Sequence, residues 1–244
     1  MSSASSHWTK PETRPEMIDQ LVEGVDRYNP QNVEILEDYL NHQMRGNEYD
    51  CLANLAILKL YQFNPDLYNP DVVINILAKA LTVAPAQDFN LCLALTGERA
   101  TPLPDPTDPF PQLLPQLQYL YTLLRTCKFT QFWATYLSPE VRELRKSYLV
   151  QCSGFEQDIR EVVVKAVRST FVRIGRSRLE GWLYLTGEPF DKYIARLGWT
   201  IDSKGTTVSI PPNADNQIQA TVIREDVQLA QLAKIIAHAQ LASA

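Results

Sequence analysis

Apolar positions in this chain recur at helical spacing in blocks of helix length, and residues 50–65, DCLANLAILKLYQFNP, carry the most apolar of them. Between Cys51 and Phe63 only Asn54, Lys59 and Gln62 are clearly polar. On a helical wheel, one continuous half of the circumference, which includes Leu52, Ala56, Leu60, Ile57 and Tyr61, is apolar or aromatic. Even the polar arc carries Cys51, Leu55 and Leu58. A helix with that pattern is covered on more than one side. At about 13 residues it is too short to span a bilayer, which takes about 20. It is expected to be the inner helix of a helical stack.

Asn64–Pro65 ends that block, because a residue before proline is driven out of the α region. Asn29–Pro30, Asn69–Pro70 and Asp108–Pro109 each join a capping residue to a proline suited to the first helical turn. They lie 40 and 39 residues apart, and Ser138–Pro139 adds a further start. The intervals hold paired segments: 33–43 with 51–63, 72–84 with 88–97, and 112–126 with 129–137. A helix pair repeating near 40 residues has the period of HEAT-type arrays. Asx–Pro starts are ordinary in other all-α packings as well. The fold expected is mainly α, with a HEAT-like repeat domain over residues 14–150. Residues 101–111, with five prolines, read as a loop inserted between two pairs.

Beyond residue 150 the pattern changes. Residues 154–174 have the 3–4 apolar spacing of a long amphipathic helix. A second helix follows, with Ser177 as its cap, and a third runs over 189–199 towards Gly198. Trp199–Ile201 and Thr207–Ile210 are β-rich and flank DSKG, a hairpin signal, and residues 220–224 suit a third strand. Three helices and a hairpin make the winged-helix plan, assigned to residues 151–224. A terminal helix over 225–244 follows, in which Leu229, Leu232, Ile236 and Ala239 form a seam that wants a partner helix.

The net charge of −5 does not suggest a free-standing nucleic-acid binder. Residues 1–13 are polar and Ser-rich, lack the apolar core of a secretory signal, and read as a disordered tail. Cys51, Cys92, Cys127 and Cys152 form no CxxC and read as buried reduced thiols. His7, His42 and His238 have no partner at metal-ligand spacing, and neither a phosphate-cradling glycine loop nor a nucleophile elbow is present. Glu34, Glu37 and Asp38 suit a solvated helix face. No catalytic residue, metal or cofactor is expected. One basic stretch stands out: Lys165, Arg168, Arg173, Arg176 and Arg178, with no acid between them. It suits contact with RNA or an acidic partner, or equally a solvated helix end.

Residues GVDRYNPQNVEILEDYL, YDCLANLAILKLYQFNPDLYN, KALTVAPAQDFNLC, TCKFTQFW, SGFEQDIR, EGWLYLTG and KYIARLGW resemble the family of subunit k of eukaryotic translation initiation factor three, over residues 22–210. That family is related to the PCI subunits of the proteasome lid and signalosome. The resemblance implies a HEAT-like domain joined to a winged helix and a non-catalytic scaffold role in the factor. It implies subunit l as the most direct partner, with the small (40S) ribosomal subunit reached through the complex. It also implies a cytoplasmic location with room for a nuclear pool, and neither a membrane nor a small-molecule substrate. The Ser-rich start, the 101–111 insertion and the segment after 211 depart from the family. The alternative is a winged-helix nucleic-acid-binding module acting through residues 165–178.

Overall fold

Asparagine and aspartate side chains set where several helices of the first part begin. The structure, a computed structural model, describes residues 11–46, 48–97, 107–217 and Leu232. Its helices are α1 (Glu16–Glu23), α2 (Val33–Arg45), α3 (Cys51–Phe63), α4 (Pro70–Leu81), α5 (Asp88–Thr96), α6 (Phe110–Arg125), α7 (Phe129–Leu137), α8 (Arg142–Leu144, running into a π turn over Arg145–Leu149), α9 (Phe155–Thr170), α10 (Arg176–Leu183) and α11 (Glu188–Arg196). The Asn69 side chain accepts from Asp71 N at 3.1 Å and opens α4 with Pro70 in its first turn, as the sequence predicts. Asn29 accepts from Gln31 N at 3.1 Å, but what it opens is a 3₁₀ turn, Pro30–Asn32, that leads into α2. Asp108 accepts from Phe110 N at 2.8 Å, so α6 starts just after Pro109. Ser138–Pro139 opens no helix. The Ser138 hydroxyl is buried without a hydrogen-bond partner among the described residues, and α8 starts only at Arg142.

The first six helices form two layers. α2, α4 and α6 lie side by side in one layer, and α1, α3 and α5 in the other. Consecutive helices α2 to α5 meet across them, and α7 folds back on α6. α3 has the bounds its pattern predicts, with Ile57 and Leu60 fully enclosed. In α4 every residue from Val73 to Leu81 is buried, including Lys79.

One side chain on α3 departs from the wheel. Asn54, placed by its polarity on the outer arc, is fully buried. It exchanges hydrogen bonds with buried Gln43 of α2, at 3.0 and 3.3 Å. The same Gln43 oxygen accepts from Asp50 N at 2.9 Å. Asp50 caps α3 through Ala53 N at 3.1 Å and receives the Arg14 guanidinium on both oxygens, at 2.6 and 2.8 Å, with the Tyr39 hydroxyl at 3.3 Å. These polar groups satisfy one another, which makes their burial tolerable. The network also ties the start of the described chain to α2 and α3. Residues 11–13 of the expected tail form the turn before it, with Arg14 N bonded to Pro11 O at 3.1 Å, while residues 1–10 lie outside the described set. Likewise 101–106 of the proline-rich stretch lie outside it, and Phe110 and Pro111 already belong to α6.

After α8 the chain runs through α9, strand β1 (Arg173–Gly175), α10, α11, β2 (Thr200–Ile201) and β3 (Thr207–Ser209). The strands form an antiparallel sheet in the order β1-β3-β2, with Ile174 opposite Val208 and Thr200 opposite Ser209. The helix predicted over 154–174 therefore stops four residues early. Phe171 turns extended (φ −118°, ψ 140°), because Arg173–Gly175 is held as a strand by β3. The Asn216 and Asn213 side chains donate to Phe171 O and Arg168 O, at 3.3 and 3.1 Å, and satisfy carbonyls at the helix end. Gly175, not Ser177, precedes α10. The third strand expected at 220–224 lies outside the described residues.

Because Leu60 is enclosed between layers, Leu60→Ala is expected to lower stability by about 2–5 kcal/mol, read as a fall in the urea midpoint at unchanged slope.

Candidate assembly surfaces

Two helix-rich parts, residues before and after about 150, meet at an aromatic joint. Trp133 of α7 is almost fully buried, and its indole N–H donates to Trp182 O of α10 at 2.8 Å. The Tyr184 ring stacks on the same indole, with centroids 5.6 Å apart and planes 21° off parallel. Tyr184 is a non-glycine residue in the left-handed region (φ 51°, ψ 47°), at the end of α10. Arg160 of α9 places its guanidinium 5.3 Å from the Trp133 ring and donates to Leu183 O at 3.1 Å. Phe129 and Phe171 both meet Trp182 edge to face, and Tyr136 of α7 stacks on Phe155 of α9. A second tie lies deeper. The buried Lys79 ammonium donates to Gly46 O at 3.3 Å, and its charge reaches Asp158 and Cys152. Surfaces on both parts are thus held in fixed relation.

The basic stretch is spread over three elements. Lys165 and Arg168 are exposed on α9, Arg173 on β1 and Arg178 on α10. Arg176 is withdrawn from it. Its Nε donates to Glu180 at 2.9 Å, a second nitrogen lies 2.8 Å from Asp191, and the guanidinium sits 5.2 Å from the Phe190 ring. The hydrogen bond to Glu180, opposed by burial and reinforced by Asp191, raises its pKa. Residues 165–178 hold no acid in sequence, and folding brings Glu180 and Asp191, from beyond that stretch, to this arginine.

In the predicted terminal seam, Leu232 is helical and 42% exposed, whereas Leu229, Ile236 and Ala239 lie outside the described residues. The last described stretch runs beside α9. Val164, Arg168, Trp199, Ile210 and Pro211 line a groove of about 290 Å³ there.

Nothing gathers as reaction chemistry among the described residues. They contain no group of three or more His, Cys, Asp or Glu placed to hold a metal ion. Cys51, Cys92 and Cys152 are buried, and Cys127 is exposed in the turn between α6 and α7, which corrects its expected burial. A nucleophilic thiol needs a lowered pKa. Cys92 is pushed up by its hydrogen bond to Cys51 and by burial, and Cys152 by burial. Tyr136 and Tyr193 are each pushed up to about 12, by burial first and then by Glu156 and Glu161 beside them. Glu37, expected to be solvated, accepts the Tyr61 hydroxyl, while Glu34 and Asp38 are exposed. No described helix is long and apolar enough to cross a membrane.

β1, the Trp133–Trp182 contact and the Arg176 pairs are the features that sequence reasoning missed. The one local signal was the i,i+4 spacing of Arg176 and Glu180. The other contacts join residues far apart in the chain.

Comparison with known proteins gives a consistent result. The model of the CSN8/PSMD8/EIF3K family matches residues 67–221. A protein of Mycosarcoma maydis named "Eukaryotic translation initiation factor 3 subunit K" is 40% identical over 98% of this chain and 96% of its own. Proteins of the same name from Cryptococcus neoformans and Sclerotinia sclerotiorum are 42% and 39% identical, over 95% and 93% of this chain and 94% of theirs in both cases.

Two outcomes follow from this geometry. Trp133→Phe keeps a ring in the joint but strands the Trp182 carbonyl, and should cost about 1–3 kcal/mol in urea unfolding. In the hairpin, Asp202 accepts from Thr206 N at 2.7 Å and Thr207 N at 3.1 Å, and these backbone bonds hold its pKa below the usual carboxylate range. Its stabilising contribution is therefore present above the unfolded value of about 3.9 and is lost as pH falls through the lower folded value. Amide protection at Thr206 and Thr207 should persist at about pH 5 and drop on acidification, and Asp202→Asn should flatten that drop.

Proposed function

The chain belongs to the CSN8/PSMD8/EIF3K family, and on that footing we propose that it is a non-catalytic scaffold subunit of the eukaryotic translation initiation factor three complex. The observation that carries this reading is identity at the 40% level, along nearly the whole chain, to proteins named subunit K of that factor. In this reading residues 14–150 are a HEAT-like repeat domain, residues 151–224 a winged helix and residues 225–244 an assembly helix. The chain joins its sister subunits, subunit l most directly, in the cytoplasm, and reaches the 40S ribosomal subunit as part of the complex.

Several features support it. The two-layer stacking of α1 to α6 is what a repeat array requires. The order α9, β1, α10, α11, β2, β3, with β1 closing the sheet beside β3, is the order of a winged helix. The buried, upward-shifted thiols and phenols suit a protein whose titratable groups serve packing. A nucleic-acid module acting through residues 165–178 is not adopted, because Arg176 is committed to Glu180 and Asp191.

The test is affinity purification of the tagged full chain beside one ending at Gln217. The shorter chain keeps the Asn213 and Asn216 ties to α9 and the whole sheet. Other initiation-factor subunits should co-purify with the full chain, and recovery of subunit l should collapse for the truncated one at unchanged melting temperature. Undiminished subunit l would move the contact off the terminal helix. Absence of every initiation-factor subunit from the full-chain preparation would overturn the assignment.

A further inference from the structure

At the N-terminal end of the two layers the odd-numbered helices leave a gap. A groove of about 500 Å³ opens between the end of α1, the α3 surface and the end of α5. Its floor is a stripe of α3, Leu52, Leu55 and Ala56, with Leu95 of α5 beside it. Leu52, Leu55, Ala56 and Lys59 are spaced i, i+3, i+4, i+7, so one helical stripe faces the gap, flanked by the 3₁₀ turn Val25–Tyr28, which packs on α3. Leu52 and Leu55 are only half-buried, unlike their neighbours Ile57 and Leu58.

The rim has a definite chemistry. Arg27 and Lys59 both line the groove. The Arg27 guanidinium lies 5.1 Å from the Tyr28 ring, and the Lys59 ammonium 5.0 Å from the Phe63 ring. The two rings meet edge to face at 6.2 Å. The four side chains make a continuous bar, cation, ring, ring, cation. Its rings are unusually open to solvent for their size, Tyr28 at 49% and Phe63 at 60% exposure. Arg27 is further fixed by a bond to Val22 O at 3.4 Å, and Lys59 by one to the Gln62 side chain at 3.0 Å. Among the described residues no carboxylate forms an ion pair with either cation, and Glu23 is the only acid among the lining residues. The groove is thus net positive on a chain of net charge −5.

We infer that this groove is a docking site for a short acidic amphipathic helix of another protein. An apolar stripe at helical spacing between two helix ends offers what a ridge of leucine-like side chains fills. Two ordered cations above it favour glutamate and aspartate on the incoming helix and disfavour a basic one. The groove is lined by residues between Val22 and Leu95, so the inference uses none of the residues assigned above to the terminal assembly helix.

The experiment places the photo-cross-linking residue benzoylphenylalanine at Leu55 of the full-length tagged chain in the cells that produce it, and maps the linked peptide by mass spectrometry. The expected product is one segment of another protein, net acidic, with apolar residues three and four apart. Its yield should fall roughly tenfold with Arg27→Glu and Lys59→Glu together, two changes at the rim of the groove, and should vanish with Leu52→Glu. Unchanged yield on rim charge reversal would overturn the proposal. So would links only to residues 1–10 or 98–106 of this chain, to a second copy of it, to a basic segment or nucleic acid, or to no peptide at all. Co-purifying initiation-factor subunits are read from the same preparation. Their presence without the expected link sinks the groove alone, and their absence with the link intact sinks the scaffold reading alone.

Discussion

The hydrogen bond from the Trp133 indole to Trp182 O is the contact on which the arrangement of the two parts depends. It joins residues 49 apart in the chain, on helices that belong to different parts of the fold. The Tyr184 and Phe129 rings and the Arg160 guanidinium pack around it, on Trp133 or on Trp182. The bond satisfies a donor that has no alternative inside an aromatic cluster, so breaking it is costly. Tyr184 accepts a left-handed backbone at this point, a conformation that L-residues with a ring rarely adopt, and the stack on Trp133 holds it there. A scaffold needs its contact surfaces in constant relation, and this joint supplies that constancy where a flexible linker would not.

The other end of the molecule is organised by charge. Asp50 gathers Arg14, Tyr39, Gln43 and the first turn of α3 into one enclosed network. Enclosed ion pairs contribute little net stability over apolar packing, but removing one partner is severe. The network's value is specificity, since α1, α2 and α3 fit together in one way only if every member finds its partner. The groove beside α3 inherits its shape from this constraint.

Much of the fold was legible in the sequence because its determinants are local. α3 and α7 have the bounds their apolar runs and stop signals predict, and Asn69 caps α4 as its Asx–Pro pair implies. The failures share a physical cause. Asn54 looked solvent-facing because its partner Gln43 lies on another helix. Residues 171–174 continued a helical pattern, and only pairing with Ser209 and Val208 draws Arg173 and Ile174 into a strand. Arg176 looked free because Asp191 arrives through the fold. The candidate surfaces were the least legible part. A helix stripe reads as apolar whether or not another helix covers it, so nothing in DCLANLAILKLYQFNP distinguishes the faces of α3 inside the stack from the one that lines a groove.

The position of β1 has a consequence for how the chain comes into being. α1 to α6 are closed mainly by neighbours near in sequence, so they can settle as they are synthesised, and α7 waits only for α9 and α10. The sheet cannot. Arg173–Gly175 has no partner until Thr207–Ser209 has been made, and until then Ile174 has no opposite residue to cover it. During that interval the first part of the molecule stands complete while the second offers an unpaired strand. Nascent chains would be most exposed to mispairing just before residue 209 is free to fold.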